Sequence, residues 1–143
     1  MHSPLKIHSL IAFPSWLEQN KKALSNVNII EADEREMHGI SNFQSLPEVI
    51  ALAEIPVHIY RKEEVLDSLS LVLNGIQDPG NLGTILRVAD WFGIGNIFCD
   101  ADCAGVYNPK CVQASMGAIF RVKTFYTDLP VLLNELKQEG LPV

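Results

Sequence analysis

The stretch Leu71–Ile94, LVLNGIQDPGNLGTILRVADWFGI, constrains the fold of this 143-residue chain more than any other. Leu71, Val72, Leu73 and Ile76 form a short apolar run, and Asp78-Pro79-Gly80-Asn81 is dense turn chemistry. Leu82, Ile85, Leu86, Ala89 and Phe92 then recur at helical spacing. A buried strand turning straight into an amphipathic helix opens a βα unit. The residues that follow repeat the pattern, with a strand at Asn96–Cys99, a helix near Pro109–Ile119, a strand at Phe120–Phe125 and an amphipathic helix over Asp128–Glu139. Alternation with short connections predicts an open parallel sheet with helices on both faces. Gly140-Leu141-Pro142-Val143 reads as a helix stop followed by the first residues of another strand, so a fragment of a longer domain is expected.

Upstream, Lys6–Phe13 is apolar enough for a strand, and Pro14-Ser15 opens a helix carrying Trp16, Leu17, Lys21 and Leu24. Val27–Ile30 is a short strand, Glu31–His38 a charged helix ended by Gly39, and Val49–Ile55 a strand closed by Pro56. The organisation is therefore two α/β units: residues 1–58, a more polar linker at 59–69, and residues 70–143.

A hydrophobic content of 48% with 20% charged residues belongs to a globular chain, and no apolar run is long enough to span a bilayer. The N-terminus lacks the order of a secretory signal, so a cytoplasmic location is expected. Cys99, Cys103 and Cys111 make no CxxC pair, and no histidine lies at finger spacing; they read as buried thiols and not as a metal site. The net charge of −6 argues against a sequence-blind nucleic-acid binder. Charge is uneven, however. Residues 75–127 balance Arg87, Lys110, Arg121 and Lys123 against Asp78, Asp90, Asp100 and Asp102.

In parallel α/β sheets ligands bind beyond the carboxyl ends of the strands, where the turn Gln77–Asn81 falls. Gly80 and Gly83 allow backbone to approach a ligand, and Asn81 is a natural N-cap beside N–H groups that favour an anion. The glycine spacing is neither of the common nucleotide fingerprints. Arg87 is the lone cation of its helix, sharing a face with Thr84 and Trp91. Asp90, three residues on, is the obvious partner, so salt bridge and functional arginine both stay open. Asn108-Pro109 is a good helix start, Lys110 beside it opposes the helix dipole, and Ser115, Gly117 and Ala118 keep one helix face small for close packing. The histidines are scattered, and no Ser-His-Asp, Cys-His or paired-carboxylate grouping supports hydrolysis.

Asn81, Gly83, Arg87, Phe92 and Gly93 match the pattern NxGxxxRxxxxFG, which resembles the first motif of the SpoU (TrmH-type) RNA ribose methyltransferases of the SPOUT superfamily. GIQDPGNLGTILR and YNPKCVQASMGAIFRV also resemble segments of that family, and the first unit is more loosely similar to its small RNA-binding domain. The resemblance implies methyl transfer from S-adenosylmethionine to a ribose 2′-hydroxyl of rRNA or tRNA by a homodimer without a metal. It implies the N-terminal half of a parallel-sheet domain that threads into a knot, an exception to the usual unknotted chain. By motif position Arg87 is the catalytic arginine and Asn81 its active-site neighbour, with Asn108, Lys110 and Ser115 on the substrate side. The family's Gly-Asn-Glu and Ser-Leu-Asn-Val segments, which form the knot and most of the cofactor pocket, are not in these residues. Should the protein comprise these residues alone, the expectation is no knot, little cofactor binding and no turnover. The alternative reading is a noncatalytic RNA-binding or dimerisation module that keeps the motif as scaffold.

Overall fold

The computed structural model describes residues 5–24, 27–41, 43, 45–66 and 68–141, and divides into two units, Met1–Pro56 and Val57–Val143. The first unit runs β1 (Ile7–Ala12), α1 (Pro14–Asn20) with a 3-10 turn at Lys21–Ala23, β2 (Asn28–Glu31), α2 (Glu34–Ile40) and β3 (Val49–Ala53). Its sheet has the order β2-β1-β3, with β2 parallel and β3 antiparallel to the central strand. The strand over VIALA is thus present, and it runs opposite to its neighbour. Leu10, Ala12, Leu17, Ala32 and Met37 are its buried apolar residues. Asp33 and Glu36 form a reciprocal capping box at the start of α2. Gly39 does not end that helix. The helix continues to Ile40 and stops where the Ser41 N–H bonds to the Met37 carbonyl, because a glycine in the last turn weakens a helix without blocking it.

The second unit runs α3 (Lys62–Leu66), β4 (Ser70–Leu73), α4 (Pro79–Trp91), β5 (Asn96–Cys99), α5 (Pro109–Ser115), a 3-10 turn at Ala118–Phe120, β6 (Lys123–Tyr126) and α6 (Leu129–Gln138). The sheet is parallel throughout in the order β4-β5-β6. Every residue of the central β5 is buried, and its side chains divide by the strand period of two. Ile97 and Cys99 join Leu82, Leu86 and Ala89 of α4 in one cluster, whereas Phe98 joins Phe125, Leu129, Leu132 and Leu136 in another. Helices therefore cover both faces, as the alternating pattern predicts. The Phe98 and Phe125 rings stack at 5.1 Å, with the Tyr60 ring edge-on to Phe98 at 5.4 Å.

Part of the stretch read as a linker, 59–69, packs into this second unit: Tyr60 lies in the aromatic cluster, and Val65 on α3 is 3% exposed. The last strand starts at Lys123, three residues later than Phe120, because Met116 (φ 48°) and Gly117 (φ 85°) take left-handed backbone and turn the chain into the 3-10 segment first. Helices α4 and α6 end alike. The N–H groups of Gly93 and Ile94 return to the carbonyls of Asp90 and Ala89, and those of Gly140 and Leu141 to Lys137 and Leu136, the doubled closure a left-handed glycine permits. The strand expected to begin at Pro142-Val143 lies outside the described residues. Among the described residues no helix is long and apolar enough to cross a membrane.

Candidate functional site

Helix α4 begins at Asp78 and not at Asn81. The Asp78 carboxylate accepts from the Asn81 N–H at 2.8 Å, Pro79 fills the first helical position, and Asn81 sits in the first turn with an exposed side chain. Proline fixes the backbone for helix entry and has no N–H to leave unpaired, so the residue before it is the cap. Thr84 Oγ1 donates to the Gly80 carbonyl at 3.0 Å. Leu82, Leu86 and Ala89 face the sheet, which puts Asn81, Thr84, Arg87, Val88 and Trp91 outward.

The two glycines expected to admit a ligand are filled by protein instead. A Cβ on Gly83 would lie 2.5 Å from the Cys111 carbonyl oxygen and 2.7 Å from Ala114 Cβ, so this glycine lets α5 touch the α4 backbone. A Cβ on Gly80 would meet Asp78 Oδ1 at 2.9 Å and Lys110 Cε at 3.3 Å. The small face of α5 is the counterpart of Gly83. Ser115 is 1% exposed, and its hydroxyl donates to the Val112 carbonyl at 2.8 Å, which leaves it nothing to present at the surface.

Asn108 caps α5, its Oδ1 accepting from the Lys110 N–H at 2.9 Å. Lys110 Nζ donates to Asp78 Oδ2 at 2.8 Å, so a single carboxylate ties together the starts of both helices. That contact, first, and the Asn81 N–H, second, hold the Asp78 carboxyl below the usual carboxylate range. The pair is exposed and adds little stability, but it explains a cation where the helix dipole disfavours one.

Arg87 does not pair with Asp90. The Asp90 carboxylate is gripped by Arg121, with Nε 2.8 Å from Oδ1 and Nη2 2.6 Å from Oδ2. This two-point contact keeps the Asp90 carboxyl below its ordinary value and raises the Arg121 guanidinium. Arg87 Nη1 donates instead to Met116 Sδ at 3.2 Å, a weak acceptor. Met116 is the left-handed residue that ends α5, 72% exposed beside the arginine. Arg87 is thus an exposed guanidinium with no anionic partner among the described residues.

The structure thus gathers Asn81, Asn108 and Lys110 around the paired helix starts, puts Arg87 about two helical turns along α4, and buries Ser115 between the helices. Sequence reasoning missed three residues here. The Asp78 signal was present in the Asp-Pro pair at a helix start, whereas Met116 and Arg121 reach α4 only through tertiary structure. Tyr126 is a further omission, because its hydroxyl donates to the Ala104 carbonyl at 2.6 Å and accepts from the Val106 N–H at 2.8 Å, fixing the loop that leads into α5.

Grooves lie elsewhere in this unit, two of them with distinct linings. One of about 440 Å³ follows β4 and is lined by Val65, Leu69, Val72, Phe98, Leu136 and Leu141. The other, about 460 Å³, lies at the carboxyl ends of β5 and β6 between Asp100, Asp102, Tyr126 and Asp128. Neither is lined by Arg87, Asn81 or Lys110. Among the described residues no group of three or more His, Cys, Asp or Glu could hold a metal ion.

Residues 68–143 match the model of the SpoU rRNA Methylase family. A 23S rRNA (guanosine(2553)-2′-O)-methyltransferase of Bacillus subtilis (strain 168) is 31% identical over 103 residues, which is 71% of this chain and 42% of that protein. The structure of a TrmH-family protein from Porphyromonas gingivalis superposes with a TM-score of 0.83 at 33% identity, covering 97% of this chain and 55% of that one. AviRb of Streptomyces viridochromogenes, a SpoU methyltransferase solved in complex with AdoMet, shares the fold at a TM-score of 0.76 and 20% identity, over 96% of this chain and 54% of its own. The chain spans about half the length of the Bacillus subtilis and Porphyromonas gingivalis proteins. A parallel βα sheet that presents Asn81 and Arg87 on α4, together with a family match over just over half of its residues, makes this protein a member of the SpoU rRNA methylase family.

Proposed function

We propose that this chain supplies the RNA-facing wall of a site that methylates a ribose 2′-hydroxyl of rRNA or tRNA, with S-adenosylmethionine as methyl donor. One observation carries the reading: Arg87 projects from α4 with only a thioether for a partner among the described residues. An unpaired, exposed guanidinium is suited to phosphate, which it grips through two parallel N–H donors.

A 2′-hydroxyl is a poor nucleophile, and its oxygen gains negative charge as the proton leaves. Arginine stays protonated and cannot serve as a simple base. Arg87 therefore holds a neighbouring phosphate and stabilises the developing alkoxide, while the proton passes to water or phosphate. The Asn81 side chain is exposed in the first turn of the same helix, with no side-chain hydrogen bond among the described residues, and can orient the ribose. The Asn108 amide N–H₂ makes no hydrogen bond among the described residues once Oδ1 caps α5, whereas Lys110, paired with Asp78, reaches an RNA phosphate only by giving up that contact.

S-adenosylmethionine supplies the electrophilic methyl carbon when bound. The two grooves do not fit it as they stand. The one beside β4 is lined by apolar side chains apart from Ser68 and Ser70, and in the other the Asp100 carboxylate accepts from the N–H groups of Gly75 and Cys103, and that of Asp128 from Val131, which commits both to fixing their own loops. RNA as partner, a homodimeric assembly, RNA binding by the first unit and a cytoplasmic location belong to the same proposal.

The test measures methyl transfer from labelled S-adenosylmethionine to rRNA and tRNA transcripts, with the gene product at its native length, alongside low-salt RNA affinity. Arg87→Ala is expected to reduce transfer far more than affinity. Equal losses would sink the assignment, and absence of transfer by the wild-type protein would favour the noncatalytic module.

A further inference from the structure

We infer that Arg121 is a positioning residue that keeps Arg87 available by holding Asp90 away from it. On α4 these two residues are three apart, a spacing at which an aspartate and an arginine are surface neighbours and pair readily. In the structure they do not pair. Asp90 receives both Nε and Nη2 of Arg121, from a residue that reaches α4 across 31 positions of sequence. The fork of a guanidinium matches a carboxylate in two places at once, which a partner on the same helix is poorly placed to match.

The backbone delivers Arg121 to that point. Met116 and Gly117 both adopt left-handed conformations, the chain turns through Ala118–Phe120, and Arg121 follows directly. The same turn sets Met116 Sδ against Arg87 Nη1 at 3.2 Å. One short segment thus gives Asp90 a strong cationic partner and Arg87 a weak neutral one. Among the described residues, an anion that approaches Arg87 has only the thioether to displace. This inference depends on the proposed function only for its consequence, the binding of RNA phosphate.

Phenylglyoxal modification of Arg87, followed by peptide mass spectrometry, reads the state of the guanidinium without RNA or methyl donor. The comparison uses the wild type, Arg121→Ala, Asp90→Asn and the double variant. In Arg121→Ala the released Asp90 should capture Arg87 and slow its modification about two- to fivefold, the range an exposed ion pair supplies. Asp90→Asn in the same background should restore the wild-type rate, although the clamp is still absent. A rate that is unchanged or faster in Arg121→Ala, or slowing that the second substitution does not relieve, overturns the inference, since a merely structural clamp would behave that way. RNA affinity measured on the same four proteins separates the two claims. If reactivity follows the expected pattern and affinity does not, the phosphate-binding role of Arg87 fails while the charge arrangement stands.

Discussion

Gly83→Ala should destabilise the second unit even though alanine is the better helix former. In a helix interior the exchange gains about 1 kcal/mol from backbone entropy and propensity. Against it stand two contacts, a Cβ at 2.5 Å from the Cys111 carbonyl oxygen and at 2.7 Å from Ala114 Cβ, with the Ser115 nitrogen at 3.0 Å. None of these atoms can rotate away, because two are backbone and the third is attached directly to it. Restoring ordinary separation would move α5 off α4 by roughly 1 Å and open the buried layer of Leu82, Leu86 and Cys111. Overpacking costs about 1–3 kcal/mol and occasionally more, and a double conflict with a helix backbone belongs at the upper end. The net loss is then about 2 kcal/mol, or about 8–16 °C in Tm for a unit of this size. Urea unfolding followed by circular dichroism measures it, with Gly95→Ala as the control, since nothing lies within 4 Å of a Cβ there. A Gly83→Ala midpoint equal to or above wild type would refute the close-packing argument.

Other expectations follow from single contacts. Tyr126→Phe removes the acceptor of the Val106 N–H and should cost about 1 kcal/mol, with faster hydrogen exchange at the Val106 amide. Burial pushes the Cys99 and Cys111 thiols up to about 12 and about 11, so both should resist iodoacetamide at pH 8 in the native protein and react in guanidinium. The unfolded chain ionises these thiols first, near pH ~8.5, so their contribution to stability should decline as pH rises from there through their folded values. Asp90 works in the opposite sense. Its folded carboxyl value is lowered by Arg121, so that contribution is present above the unfolded value near ~3.9 and lost as pH falls through the folded one. The difference in urea midpoint between wild type and Arg121→Ala should accordingly be larger at pH 6 than at pH 2, and a pH-independent difference would count against the pair.

What depends on neighbours a few residues apart was legible in the residues alone. Residue periodicity gave the βα alternation of the second unit and the inward stripe of α4 from Leu82 to Ala89, but not its last member, Phe92, which is the C-terminal cap of the helix and 72% exposed; the spacing of Asn81, Gly83, Arg87, Phe92 and Gly93 pointed to the family. Local signals failed where two candidates competed at short range: Asp78 took the cap that Asn81 could have taken, because Pro79 fixed the entry, and Gly39 bent to the helix around it. The pairing of the charges was settled by the fold. Arg87 and Asp90 are natural partners on a helix surface, and it took a left-handed turn at Met116-Gly117, which brings Arg121 against Asp90, to separate them. It likewise turned Gly83 from an opening for a ligand into a contact between helices, since a residue 28 positions away, Cys111, occupies the space its missing side chain leaves. Pairings of that kind depend on where the folded backbone puts distant residues, and local patterns carry no record of it.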